Sequence, residues 1–431
     1  MKVPVVIVGA GACGLTAALA ARDAGAEVLV LERDASPSGS TALSSGFIPA
    51  AGTRYQRAAG IDDSPELFAA DVRRKNHGEA DPRIVDSVTR SIGPTLEWLD
   101  DCHGLRFDVL QGFTYPGHRV LRMHALQEKT GEALMAALLR ACSEVDILTS
   151  ARVTDVDRER VRFERPDGSF EEVEYGALVL ACSGFGGNKE MVARYLPDIS
   201  SALFFGHVGN QGDAMRWGTA IGASVADMSA YQGHGSVATP HGVLITWALM
   251  TEGGIQVNEN GERFSNEHLG YSEQCLPVIR QPGGIAWCIY DQRLHELGMT
   301  FPDYRDAQAA GAVRPAHELP KLGETLRRVE RFAEGKGRDP FGRDFTTKPK
   351  LVAPYYGIKV TGALFHTQGG LVIDESARVL PLPNVFAGGG AARGVSGAHV
   401  WGYLSGNGLL CAVALGRIAG TSAAKNAPAR P

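Results

Sequence analysis

Apolar runs and helical stripes divide the chain into elements. The unbroken run Val5 to Val8, closed by Gly9, predicts a parallel strand buried on both faces. Small and apolar residues from Ala12 onward predict a helix, and L-V-L-E, ending at Glu32, a second strand. Helical apolar spacing covers Pro65 to Leu110, and Thr130 to Val145 predicts a helix with Thr130 as its N-cap. Alternation then predicts strands from Asp146 to Glu174, with a hairpin turn at Asp167-Gly168, and a buried strand from Ala177 to Cys182 running into S-G-F-G-G-N. From about Thr239 to Lys350 the chain is more polar, with helical segments such as Thr325 to Gly335. Strand patterns resume at Gly357 to Val360, Leu371 to Ile373 and Asn384 to Ala387, and a helix from Gly408 to Gly420 closes the series.

Strand and helix alternate at both ends of the chain and are interrupted in the middle, which predicts an α/β fold. The expected architecture is a discontinuous Rossmann-type domain over 1–236 and 353–431, with an inserted α+β cap domain over 237–352. Such an insertion directs the reacting centre to the junction of the two.

The first strand-to-helix turn reads G-A-G-A-C-G. Gly9 makes the tight turn, Gly11 allows a pyrophosphate to approach the backbone, and Gly14 lets the helix pack closely on the sheet. The helix N-terminus supplies a positive field for phosphate. Glu32, about 20 residues on, suits ribose hydroxyls. The small and hydroxyl-bearing residues from Ser38 to Gly46 allow the backbone to run beneath a bulky ring.

Composition narrows the partners. The chain has 431 residues, 44% hydrophobic and 21% charged, enough for a large core and more than one domain. A net charge of -5 provides no basic field for nucleic acid or an anionic membrane. Seven cysteines without C-x-x-C spacing argue against a zinc site or disulfide framework, and no metal is expected. No apolar run approaches the roughly 18 to 20 residues of a membrane span, and Met1-Lys2 runs straight into the first strand. A cytoplasmic location is therefore expected, with Ser422 to Pro431 as a frayed terminus.

The chain resembles the fumarate reductase and succinate dehydrogenase flavoproteins and their relatives, the 3-ketosteroid dehydrogenases. The likeness rests on the glycine turn, on A-C-S-G-F-G-G at Ala181 to Gly187, G-N-Q-G-D-A at Gly209 to Ala214 and V-N-E-N-G-E-R-F-S-N-E at Val257 to Glu267. It continues through F-H-T-Q-G-G-L-V-I-D at Phe365 to Asp374, G-Y-L-S-G-N-G-L and G-R-I-A-G. It implies FAD, held non-covalently because Ser40 to Gly46 contains no histidine. The implied cofactor set adds Ala12, Cys13, Arg33, Ser40, Thr41, Ser45, Gly46 and Val153 to the glycine turn and Glu32. Ser183, Gly184, Gly388, Gly408 and Leu409 complete it.

Where relatives acting on dicarboxylates place a proton-donating arginine after R-F-x-N-E and a carboxylate-gripping arginine near the last glycines, the matching residues are Tyr271 and Tyr403. The two carboxylate-binding histidine positions match His234 and His366. Gly389 stands where many relatives have glutamate. Arginine suits a dicarboxylate, whereas a neutral ketone needs a donor for its oxygen and a base for the adjacent proton. The resemblance to ketosteroid dehydrogenases points the same way.

The reading that follows is a desaturase of a cyclic ketone, a 3-oxosteroid or an oxocyclohexane such as 4-oxocyclohexanecarboxylate. Tyr271 removes the α proton, hydride passes from the β carbon to flavin N5, and Tyr403 with an N–H near Gly406 holds the ketone oxygen. His234 or His366 assists the phenolate or binds a substrate carboxylate, and Tyr115, His118 and Gly406 contribute to substrate binding. The electron acceptor is left open among oxygen, a quinone and a carrier protein. The alternatives are a fumarate reductase-like or tricarballylate dehydrogenase-like enzyme using Arg393 or Arg280 for a carboxylate, and a non-catalytic flavin-binding protein.

Overall fold

A computed structural model describes residues 2–316 and 319–427. They divide into two compact units: Met1–Leu196, Gly206–Tyr231 and His366–Pro431 form one, and Pro197–Phe205 with Gln232–Phe365 the other.

The first unit is built on strand β1 (Lys2–Val8), helix α1 (Ala12–Asp23) and strand β2 (Val28–Leu31). Val5, Val6 and Ile7 are fully buried, and each such side chain contributes about 1.5–3 kcal/mol over an exposed one. Helices α2 (Pro65–Lys75), α3 (Pro82–His103) and α4 (Gly131–Ala141) follow, then strands β3 (Asp146–Leu148), β4 (Arg152–Val156), β5 (Arg160–Glu164) and β6 (Phe170–Leu180). Strand β7 (Val385–Ala387) and helix α5 (Asn407–Asn426) complete the set. The sheet order is β3-β2-β1-β6-β5-β4, with β7 also pairing β6. Strands β3, β2, β1, β6 and β7 pair in parallel and β4 and β5 antiparallel. Val8 lies beside Leu31 and Leu180, and Leu180 beside Ala387. The parallel strands thus end on one crest, where an open α/β sheet binds its ligand.

Thr130 caps α4, its side chain accepting from Ala133 N at 3.2 Å. Three boundaries differ from the sequence pattern. The helical stretch after Pro65 is two helices, and the second stops at Gly104, whose left-handed φ of 73° ends it before Leu105. Closure of the series begins at Asn407 and extends to Asn426, so Ser422–Asn426 are helical rather than frayed. Residues 428–431 of that tail lie outside the described residues.

The second unit contains a sheet whose central strand Tyr355–Thr367 pairs antiparallel with Ile285–Asp291, which in turn pairs with Ile255–Val257. The strand Ile285–Asp291 was hidden in sequence because its run I-A-W-C-I-Y-D lacks polar alternation and sits among polar neighbours. Around it pack buried Trp247, Tyr290, Tyr304 and Ile358. Buried Glu267 ties the loops together: it accepts from Gln256 N at 3.0 Å, from Arg263 at 2.9 and 2.7 Å and from Arg343 at 3.0 Å.

Burial by itself would raise the Glu267 carboxyl, but Arg343 and Arg263 outweigh it and hold its pKa at about 2. A folded-state value below the unfolded one means stability that is present above the ordinary carboxylate range and is lost as pH falls through about 2. Glu267→Gln is expected to cost about 3–5 kcal/mol at pH 7, measured by urea unfolding. The difference from wild type is expected to shrink as pH falls from the ordinary value of 4.5 toward 2.

Candidate active site

A cavity of about 780 Å³ opens on the crest of the parallel strands in the first unit. Its floor is the start of α1. Gly11 is the N-cap of that helix and offers no side-chain cap, so first-turn N–H groups face the cavity. Ala12 N donates to Thr41 Oγ1 at 2.9 Å. Glu32 Oε2 accepts from Ala10 N at 2.7 Å and Oε1 from Asp34 N at 2.9 Å, which fixes the carboxylate on the rim and leaves lone pairs for ribose hydroxyls. The glycines account for the close fit: a Cβ at Gly14 would fall on the Gly9 carbonyl oxygen.

Of the sequence candidates, Gly9, Gly11, Ala12, Cys13, Glu32, Arg33, Ser40, Thr41, Val153, Ser183, Gly408 and Leu409 line this cavity. Others stand behind it. Gly46 passes against the Thr130 carbonyl, Gly184 against Thr367 Oγ1 and Gly388 against Cys13 Sγ, while Ser45 is half-buried in the intervening loop. Sequence reasoning missed Arg152, Asn210, Trp217 and Cys411, which also line it. Asn210 belonged to a quoted motif but was given no role; its amide donates to Ser40 Oγ at 2.9 Å. Cys411 lies three residues past Gly408 on one helix face, a spacing that would have found it.

An open helix N-terminus, a fixed ribose-side carboxylate and a long cavity fit FAD. Three thiols line the same cavity, Cys13, Cys182 and Cys411. Burial pushes each of them up to about 12, so they stay protonated.

At the other end stand His366, Gln368, Gly408 and Leu409. The His366 ring meets Tyr403 edge to face, with centroids 5.6 Å apart. Burial lowers His366 to about 4, which keeps it neutral at pH 7. The Gln368 amide lies between His366 Nδ1 at 2.9 Å and Ser396 Oγ at 2.8 Å. Arg33, Arg152 and Arg216 are the arginines among the lining residues.

His118 is buried, and its Nε2 donates to the Ser405 carbonyl at 2.9 Å. It thus grips the loop between Tyr403 and α5, and burial lowers it to about 4. Its own loop is fixed by Arg74 on the Gly117 carbonyl at 2.6 Å and Asp71 on Arg119 N at 3.0 Å. Asp71 also pairs with buried Arg122, which bonds Asp63 at 2.6 and 2.8 Å. Tyr115 packs edge-on to Phe113, at 4.9 Å, in this loop, and Gly406 is the left-handed N-cap of α5 with φ 86°. Neither lines the cavity, and nor does His118. Arg393 is bound to Asp227 at 2.8 and 3.0 Å, and Arg280 is exposed at the end of its helix.

In the second unit His234 is sandwiched between Tyr271, at 4.8 Å and 22°, and Phe365, at 5.3 Å and 24°. Trp247 meets it edge-on at 5.8 Å. Burial lowers His234 to about 3, so it stacks on Tyr271 as a neutral imidazole. Gly270, with φ 138°, starts the helix Tyr271–Ile279 and sets Tyr271 at its first position.

A family model described as an FAD binding domain matches residues 4–409. The chain belongs to that family. Within it, the chain is 29% identical over 446 residues to a probable fumarate reductase of Shewanella frigidimarina, covering 98% of this chain and 75% of the relative. A urocanate reductase of Eggerthella lenta is 28% identical over 462 residues, covering 98% and 74%. Among solved structures, the open conformation of a flavocytochrome c3 fumarate reductase superposes with a TM-score of 0.82 at 28% identity, covering 99% of this chain and 78% of that one. The 3-ketosteroid-delta4-(5alpha)-dehydrogenase of Rhodococcus jostii, in complex with 4-androstene-3,17-dione, gives 0.77 at 26% identity, covering 98% and 97%. The protein is an FAD-dependent oxidoreductase of this family. No helix among the described residues is long and apolar enough to cross a membrane.

Glu32→Ala removes a charge-assisted acceptor worth about 1.5–3 kcal/mol, equivalent to roughly 10- to 100-fold in affinity. FAD titration is expected to show weakening of that size. Thr41→Val, which removes one neutral hydrogen bond to the α1 N-terminus, is expected to cost less.

Proposed function

We propose that this flavoprotein introduces a carbon–carbon double bond beside the carbonyl of a cyclic ketone. The observation that carries the reading is the chemistry around His366: the ring lines the cavity in its neutral form beside the first turn of α5, Tyr403 packs on it from outside the lining, and Arg393 is committed to Asp227. Such a set suits an uncharged carbonyl better than a dicarboxylate. The likeness to a ketosteroid dehydrogenase solved with a steroid dione supports it.

In this reading Tyr403 donates to the ketone oxygen, and N–H groups at the start of α5 stabilise the charge that oxygen gains as the α proton leaves. Tyr271 takes that proton. A phenol ordinarily titrates near 10, so its proton affinity when ionised matches a weakly acidic C–H better than a carboxylate's would. The hydrogen on the β carbon departs as hydride, so one proton and one hydride leave as the double bond forms. FAD, when bound, supplies the two-electron acceptor for that hydride. His118 holds the loop carrying Tyr403 through Ser405.

A second reading draws on the fumarate and urocanate reductases among the relatives. It would make the chain a reductase of an unsaturated acid and requires a carboxylate anchor other than Arg393. Anaerobic mixing separates the two. Loss of flavin absorbance with saturated ring ketones is expected, and its absence, with reoxidation of reduced flavin by unsaturated acids, would establish the second reading. Tyr271→Phe is expected to retain FAD and lower ketone-dependent flavin reduction by at least about 100-fold, the scale of a positioned acid–base group.

A further inference from the structure

Three buried polar residues, Asn407, Ser396 and Gln368, lead from the backbone before α5 to the ring of His366. The Asn407 amide has one edge on the Leu404 carbonyl, at 3.3 Å, and the other on Leu404 N–H, at 3.3 Å, and on Ser396 Oγ, at 3.0 Å. A main-chain N–H only donates and a carbonyl only accepts. One orientation satisfies both: nitrogen on the Leu404 carbonyl, oxygen toward Leu404 N–H and Ser396.

That orientation propagates. Ser396 has a single hydroxyl hydrogen, and it goes to the Asn407 oxygen. The 2.8 Å contact between Ser396 Oγ and the Gln368 amide must then be one in which Ser396 accepts, which turns the amide nitrogen of Gln368 toward Ser396. As first placed, the amide has its nitrogen on His366 Nδ1 at 2.9 Å and its oxygen on Ser396; turned to suit Ser396, it sets its oxygen on Nδ1, which must then carry the hydrogen. In a neutral imidazole the other nitrogen then holds a lone pair. Gln368, Ser396 and Asn407 are 6%, 1% and 0% exposed, so water does not offer them substitute partners.

We propose that the Leu404 main chain, acting through Asn407, Ser396 and Gln368, fixes His366 in the tautomer whose Nε2 is a hydrogen-bond acceptor, and that this makes His366 a specificity-determining residue against carboxylates. The place of Nε2 agrees with the assignment: a Cβ at Gly408, in the first turn of α5, would lie 2.8 Å from it. The positive end of a helix favours a lone pair there over an N–H. A carboxylate offers only acceptors, and its oxygens would face that lone pair without a proton between them. A hydroxyl or other donor group on a neutral ring ketone pairs with it. The substrate class is thereby narrowed to neutral ring ketones bearing a donor, over oxo-acids that present a carboxylate to His366. The specificity rests on the ketone reading of the site; the tautomer does not.

The tautomer is read without substrate, from the ¹⁵N chemical shifts of His366 in holoprotein labelled at histidine, assigned with His366→Gln. Expected is a pyrrole-type, protonated Nδ1 and a pyridine-type, bare Nε2. Ser396→Ala, with FAD still bound, is expected to move both shifts toward their average, and Gln368→Glu, whose carboxylate still accepts from Nδ1, to leave the pattern in place. A protonated Nε2 in the wild type, or unchanged shifts in Ser396→Ala, would overturn the proposal. Should ketones fail to reduce the flavin while Nε2 is bare, the ketone reading falls and the relay stands. For the specificity, 4-hydroxycyclohexanone is expected to perturb the flavin spectrum at concentrations at least 10-fold lower than 4-oxocyclohexanecarboxylate, and equal or reversed preference would overturn it.

Discussion

Helices α1 and α5 meet backbone to backbone, and the geometry of the first unit depends on that contact. A Cβ at Gly416 would come within 2.5 Å of the Cys13 carbonyl oxygen, and one at Gly420 would strike the Ala17 carbonyl. Overpacking by a single methyl costs about 1–3 kcal/mol, and here it would push apart the helix that receives phosphate and the helix whose first turn borders His366. Two glycines, one at the middle of α5 and one about two-thirds of the way along it, therefore set the position of its first turn. The cofactor end and the chemical end of the cavity share one rigid reference.

Charge in this protein is sorted by place. Arg122 is enclosed by Asp63 and Asp71, Arg393 by Asp227, and Glu267 by Arg263 and Arg343. These groups keep their charges because each has a partner within reach. His366, His118 and His234 have no ion-pair partner among the described residues and are pushed toward the neutral form by burial. The result is a scaffold held by ion pairs around groups that work by hydrogen bonding and stacking.

The glycine turn, Glu32 and the strand ends were legible in the sequence because each answers a local demand: a tight turn, a close backbone approach, an acid at the end of a strand. Val5 to Val8 and Thr130 behaved as their patterns required. What escaped was decided by distant neighbours. Ile285–Asp291 is a strand because two others flank it, and His118 is joined to the carbonyl of Ser405, 287 residues away. His366 was visible as one residue of a motif. The side chains that govern its ring, Ser396 and Asn407, were passed over as ordinary members of a glycine-rich stretch.

The sulfur lining of the cavity has its own consequence. Cys13, Cys182 and Cys411 are held as thiols by burial, and it is the thiolate that attacks electrophiles and is oxidised to sulfenic acid. Protonated, these three side chains line the cavity as soft, polarisable walls and would not act as nucleophiles toward a cofactor held there.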